Sequence, residues 1–159
     1  MRRMVALVLL ALTPALAAGQ AARSVTLSVT GGSTRMQSPT RADYEAGYVT
    51  DATPITWTAT VNSPRSNCTY TATVQVRATG STIGNGKSIA DVQWSNGGSY
   101  TTLTTSYATI GTAALTSGTR SRSGTLTLRT LLDWTEESTG FAGTGLQFQV
   151  SAVTSGSGC

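Results

Sequence analysis

Residues 123–152 constrain the fold more than any other stretch. Leu126, Leu128, Thr130, Leu132 and Trp134 fall on one face of an extended chain. Thr125, Thr127, Arg129 and Asp133 fall on the other, with Leu131 the exception. Thr135-Glu136-Glu137-Ser138-Thr139 then breaks the pattern, and Gly140 and Gly143 follow. Alternation resumes with Leu146, Phe148, Val150 and Ala152 on one side and Gln147, Gln149 and Ser151 on the other. A period of two means one dry face and one wet face, the mark of a half-buried strand. A helix would need apolar residues three and four apart, and neither half supplies them consistently. The expectation is two long strands joined as a hairpin.

The rest of the chain repeats this grammar. Alternating runs cover 25–30, 55–61 and 69–78, with a shorter run at 89–95 and a threonine-rich one at 100–110. Pro54 opens the second run, and residues 62–67 form a turn by composition, so runs 55–61 and 69–78 are expected to pair as a hairpin. Asn96-Gly97-Gly98 is a tight-turn signal. Residues 33–51 read as a long connection with one short strand near 47–50, and 112–123 as loop. No stretch reads as a convincing helix. About seven strands with turns at short intervals predict a single all-β domain, an antiparallel β-sandwich.

Trp134, the short acidic turn, Gly140-Phe141-Ala142-Gly143 and the closing run Leu146-Gln147-Phe148-Gln149-Val150-Ser151-Ala152 carry a resemblance. Together they are similar to the last hairpin of bacterial secreted immunoglobulin-like domains. In those, a tryptophan-ended strand precedes a glycine-aromatic-x-glycine turn and a closing strand. The resemblance covers about thirty residues and implies an immunoglobulin-like sandwich in an extracytoplasmic setting, with no activity attached. The Cys…Trp…Cys order of antibody-type domains is absent, because Trp57 precedes Cys68.

The amino terminus agrees on compartment. Met1-Arg2-Arg3 is followed by a short apolar run, Pro14 and an A-x-A site at Ala15-Leu16-Ala17. This is the pattern of a signal peptide cleaved after Ala17 to Ala21, and its apolar run is too short to span a bilayer. The expected organisation is signal peptide 1–21, sandwich domain 22–154 and a flexible tail 155–159. The expected location is outside the cytoplasm: secreted, periplasmic or on the cell surface, with no membrane span after cleavage.

Cys68 and Cys159 are the chain's two cysteines, and export allows them to pair. An intramolecular bond would close about ninety residues and contribute roughly 4 kcal/mol in the chain-entropy account. A bridge between two chains is the alternative, since Cys159 ends a Ser-Gly tail. Asn67-Cys68-Thr69 matches a glycosylation sequon, but the bacterial style of the signal peptide makes the match accidental.

Function is less constrained. The formal charge of +4 falls to +2 when Arg2 and Arg3 leave with the signal peptide. Basic residues do not cluster or interleave with aromatics, so nucleic acid is not an expected partner. With no histidine in the chain, Ser-His-Asp and Cys-His catalysis and histidine zinc sites are closed. No catalytic, cofactor or metal residue is assigned. Asp133, Glu136 and Glu137 could hold calcium or supply the two carboxyls of a glycoside hydrolase. A solvated turn is the plainer account of them, and the same holds for Asp43, Glu45 and Asp51.

Aromatic residues are the better lead. Trp57, Trp94 and Trp134 share the apolar parity of their runs, which reads as core packing. Tyr44, Tyr48, Tyr100 and Tyr107 are the candidate ligand-binding residues, able to stack on a pyranose face, although nothing in the sequence places them together. Two functional classes follow. One is a non-enzymatic structural or adhesive module, fimbrial or envelope-subunit-like, whose partners are copies of itself or other surface subunits paired through an edge strand. The other is a carbohydrate-binding module for polysaccharide.

Overall fold

A computed structural model describes residues 24–31, 38–82, 86–135 and 145–159. The signal-peptide segment and the Gly140–Gly143 motif lie outside the described residues. The elements in chain order are β1 (Val25–Thr30), helix α1 (Arg41–Ala46), β2 (Tyr48–Thr50), β3 (Ile55–Val61) and β4 (Thr69–Ala78). A 3-10 turn (Ile89–Asp91), β5 (Val92–Ser95), β6 (Thr101–Thr102), β7 (Ala108–Leu115), β8 (Ser121–Leu131) and β9 (Leu146–Ser155) complete the described chain.

The protein is all-β, built from two antiparallel sheets. The larger has the order β1-β3-β8-β5-β6, with β2 also paired to β8. The smaller has the order β7-β4-β9. Among the described residues there are nine strands, where the sequence suggests about seven. The surplus comes from the three-residue β2 and from the run 100–110, which divides into β6 and the start of β7.

Alternation is obeyed closely in the central strands. Ile55, Trp57, Ala59 and Val61 of β3 are buried, as are Tyr70, Ala72, Val74, Val76 and Ala78 of β4. Leu126 and Leu128 of β8 and Val92 and Trp94 of β5 join the same core. Trp57 fits because its partner on β8, Gly124, and Gly111 of the facing sheet lack side chains. A Cβ on Gly124 would stand 2.6 Å from Cε2 of the Trp57 ring, and one on Gly111 would stand 3.2 Å from Cη2. Glycine at both positions is therefore a packing requirement.

Both expected hairpins are corrected. β3 pairs with β1 and β8 in the large sheet, whereas β4 pairs with β7 and β9 in the small one. β8 and β9 likewise belong to different sheets. Each pair is an arch over the core. The reason is general: two strands facing each other across a core show the same inward periodicity as two strands side by side.

Three local expectations also change. Residues 41–46 are a helix, opened by a capping box: Asp43 N–H donates to Thr40 Oγ1 (3.4 Å), and Thr40 N–H donates to Asp43 Oδ2 (2.7 Å). Gly47 closes it at φ +75°. Residues 89–91 make a 3-10 turn, so the strand begins at Val92. Strand β7 runs to Leu115 and β8 starts at Ser121, leaving only 116–120 as the loop between them.

The Cys68–Cys159 disulfide forms within the chain. Thr69 pairs with Ser155 just inside it, so the bond clasps the end of β9 to the start of β4. The tail is thus largely strand and turn, and Arg65 and Asn67 donate to the carbonyls of Gly158 and Ser157. Among the described residues no helix is long and apolar enough to cross a membrane.

Candidate binding face

The outer face of the large sheet brings two of the predicted tyrosines, Tyr48 and Tyr100, to one side chain. Val49 is buried, so Tyr48 and Thr50 on either side of it point outward. Strand β2 lies antiparallel to β8, with Tyr48 opposite Leu131 and Thr50 opposite Arg129. On the other flank of β8, Gln93 of β5 is also opposite Arg129. Arg129 is therefore the middle of a three-strand row, reached by neighbours from both sides.

Its guanidinium is held by aromatic faces. The Arg129 Cζ lies 3.9 Å from the centre of the Tyr100 ring and 4.8 Å from that of Tyr48. Its Nε donates to Gln93 Oε1 at 2.8 Å. Each ring attracts the cation through its quadrupole, by roughly 0.5–1 kcal/mol at a site open to water. Two rings within cation–π reach and one tied nitrogen restrain the guanidinium. Among the described residues, neither terminal nitrogen of Arg129 donates a hydrogen bond, and no carboxylate pairs with it.

A second aromatic pair stands at the same end of the sheet. Trp134 was expected in the core by parity, but β8 ends at Leu131 and Trp134 is 65% exposed. Its ring stacks on Tyr44 with centroids 5.4 Å apart. Leu132 N–H donates to the Gly47 carbonyl at 2.9 Å, which ties the end of α1 to the end of β8 and brings the two rings together. The capping box that sets this helix also holds the Asp43 carboxyl below its ordinary pKa, first through the Thr40 N–H and then through the Thr40 hydroxyl. Trp57 and Trp94, by contrast, are buried as expected.

Tyr107 is elsewhere. It lies under Arg77 of the small sheet (4.6 Å from Cζ to ring centre), whose Nε and Nη2 both donate to Gln147 Oε1. Two of the four predicted tyrosines, Tyr48 and Tyr100, thus meet at Arg129, Tyr44 stacks on Trp134 past the end of β8, and Tyr107 stands apart. Arg129, Gln93 and Trp134 are the members that sequence reasoning missed. The outward parity of Arg129 and Gln93 is visible in the sequence; their adjacency is not, because it depends on β5 pairing with β8, which joins residues 36 apart.

The acidic groups have local duties. Asp43 caps α1, Glu45 pairs with Arg41 (2.9 Å) and the buried Asp51 accepts from Thr53 N–H (3.0 Å). Asp133 accepts from Thr135 N–H, while Glu136 and Glu137 lie outside the described residues. Among the described residues no group of three or more His, Cys, Asp or Glu could hold a metal ion.

The neighbouring half of this outer face is different. Thr26-Thr60-Ser121, Ser28-Thr58-Ser123 and Thr30-Thr56-Thr125 form three rows across β1, β3 and β8. Thr58 and Ser123 hydroxyls are 2.7 Å apart, and those of Thr60 and Ser121 are 2.9 Å apart, each pair sharing a hydrogen bond.

Compared with known proteins, the chain matches no family model, no curated protein and no solved structure.

Proposed function

We propose that the chain is a non-enzymatic, exported structural or adhesive module, fimbrial or envelope-subunit-like, that makes contact through the outer face of its large sheet. What supports this is Arg129, stacked between Tyr48 and Tyr100 beside the exposed Tyr44–Trp134 pair. Aromatic and guanidinium groups held against one another favour contact with a partner, since less side-chain entropy is left to lose. The intramolecular disulfide is compatible with export. Self-assembly through β1, which occupies one edge of the large sheet, is the structural variant of the same reading. Light scattering tests that variant: a strict monomer at high concentration, unchanged by deletion of residues 23–30, removes it.

A carbohydrate-binding module is the second reading, favoured by the exposure of Trp134 and its stacking on Tyr44. Such a pair offers an amphipathic platform for a pyranose ring. Affinity electrophoresis through gels containing different polysaccharides tests it. The expected result is retardation of the wild type, lost in Trp134→Ala at an unchanged unfolding midpoint. Equal mobility of the two proteins in every gel would end this reading.

A further inference from the structure

We infer that the ligand of this face carries a carboxylate: the site takes an acidic saccharide, a chain of uronic acid type, whose carboxylate docks on Arg129 while its sugar ring stacks on a neighbouring aromatic. The inference rests on the carbohydrate-binding reading and specifies the chemistry of the ligand.

The first ground is the state of the arginine. A guanidinium can offer two forks to a carboxylate, one through Nε and a terminal nitrogen and one through both terminal nitrogens. At Arg129 the Nε position is taken by Gln93. The end-on fork is left, and among the described residues nothing accepts from it. Arg77 on the other sheet makes the comparison. It also lies over a tyrosine, but its Nε and Nη2 both donate to the one Gln147 oxygen, so its side-on fork is filled within the protein.

The second ground is preorganisation. Tyr48 and Tyr100 approach the Arg129 guanidinium from β2 and from the loop between β5 and β6, and Gln93 anchors it from β5. The cation therefore loses little freedom when an anion arrives. Lysine in its place would present a point charge without the planar fork or the stacking. Arg129 is only half-buried, so an anion reaches it without complete desolvation.

The third ground is reach. Trp134 follows Arg129 by five residues, so the two Cα atoms are separated by at most about 18 Å. Tyr48, opposite Leu131, lies within that stretch. A short run of sugar rings spans such an interval, with a carboxylate at the guanidinium and an apolar ring face toward the tryptophan. A neutral glycan would use the rings and leave the fork unused.

The probes are three acidic polymers, polygalacturonate, alginate and hyaluronan, with methyl-esterified polygalacturonate as the neutral form, in calorimetry and affinity electrophoresis with the full chain. The wild type is expected to bind at least one acidic polymer, and Arg129→Gln and Arg129→Lys are each expected to weaken that binding about tenfold or more. Arg122→Gln removes the same charge at the exposed far end of β8 and is expected to leave binding unchanged. Unfolding midpoints within the wild-type error separate loss of ligand from loss of fold. Equal weakening by Arg129→Gln and Arg122→Gln would reduce the effect to net charge and overturn the inference. Equal affinity for the methyl ester and the free acid, both lost in Trp134→Ala, would keep the carbohydrate reading and reject the carboxylate. Binding to none of the four polymers would reject the inference as well.

Discussion

Strand β8 runs through two unlike regions on one outer face. Its first half lies beside β3 and, beyond it, β1, in a field of serine and threonine. Its second half lies between β2 and β5, with Arg129 stacked on two tyrosines. Strand β8 is itself continuous, while its partners change from β3 to β2 and β5 along it. The side-chain bonding changes with them. In the hydroxyl half, donors and acceptors answer one another, as in the Thr58–Ser123 and Thr60–Ser121 pairs. In the aromatic half, a charged donor is restrained and, among the described residues, nothing accepts from its terminal nitrogens. The proposed contact falls on that half, and the hydroxyl half serves as its internal control.

The floor beneath each half differs too, and this gives the largest expected effect. The hydroxyl half rests on Trp57, whose ring occupies the space left by Gly124 and Gly111. Gly124→Ala should cost about 2–3 kcal/mol by overpacking, read in urea unfolding. Combining it with Trp57→Phe should restore part of the loss, because the two residues are in contact and their effects do not add. Additive losses would mean that the ring is not what glycine accommodates there.

A smaller change probes the hydroxyl half from outside. Thr58→Val removes one partner of the 2.7 Å hydroxyl pair but leaves Ser123 in reach of water. Stability should fall by less than about 1 kcal/mol. Retention of wild type on polysaccharide gels should not change. A loss of retention with this variant would erase the contrast between the halves.

The smallest effect concerns acid. Asp43 is ionised more readily in the folded protein than its ordinary value of 3.8 because Thr40 donates to its carboxylate. A depressed folded pKa gives a contribution that is complete above the unfolded value and is lost as pH falls through the folded one. Below pH 4 the α1 cap should loosen, and the Tyr44–Trp134 contact with it. Trp134 emission in a Trp57→Phe, Trp94→Phe background should shift across that range, and Asp43→Asn should flatten the shift. An identical acid profile in the asparagine variant would detach the helix cap from the aromatic pair.

Much of the fold could be read from residue order. Burial of alternate residues in β3, β4 and the middle of β8 follows directly from side-chain parity. The weak pattern of 100–115 has a physical cause. Pairing of β4 with β7 shifts register between Val74 and Gln75, so Ile110 is an extra residue and parity changes there. Ile110 is buried and Gly111 beside it faces the Trp57 ring, which no strict alternation allows. Helix α1 was overlooked because six residues are too few to show a period, although Thr40, Asp43 and Gly47 spell its caps. Trp134 was misplaced because parity was carried past the last paired residue, Leu131.

Sequence alone determined the long central strands and which of their faces are dry, because burial of a side chain every second residue is a local property of an extended chain. It also supplied the two cysteines whose pairing the structure shows. Only tertiary structure decided which strands lie side by side and which face each other across the core, since both arrangements bury the same residues. That choice placed Gln93 and Thr50 on either side of Arg129 and drew Tyr48 and Tyr100 to its guanidinium. The aromatic face is a product of strand order, made from residues that no local pattern connects.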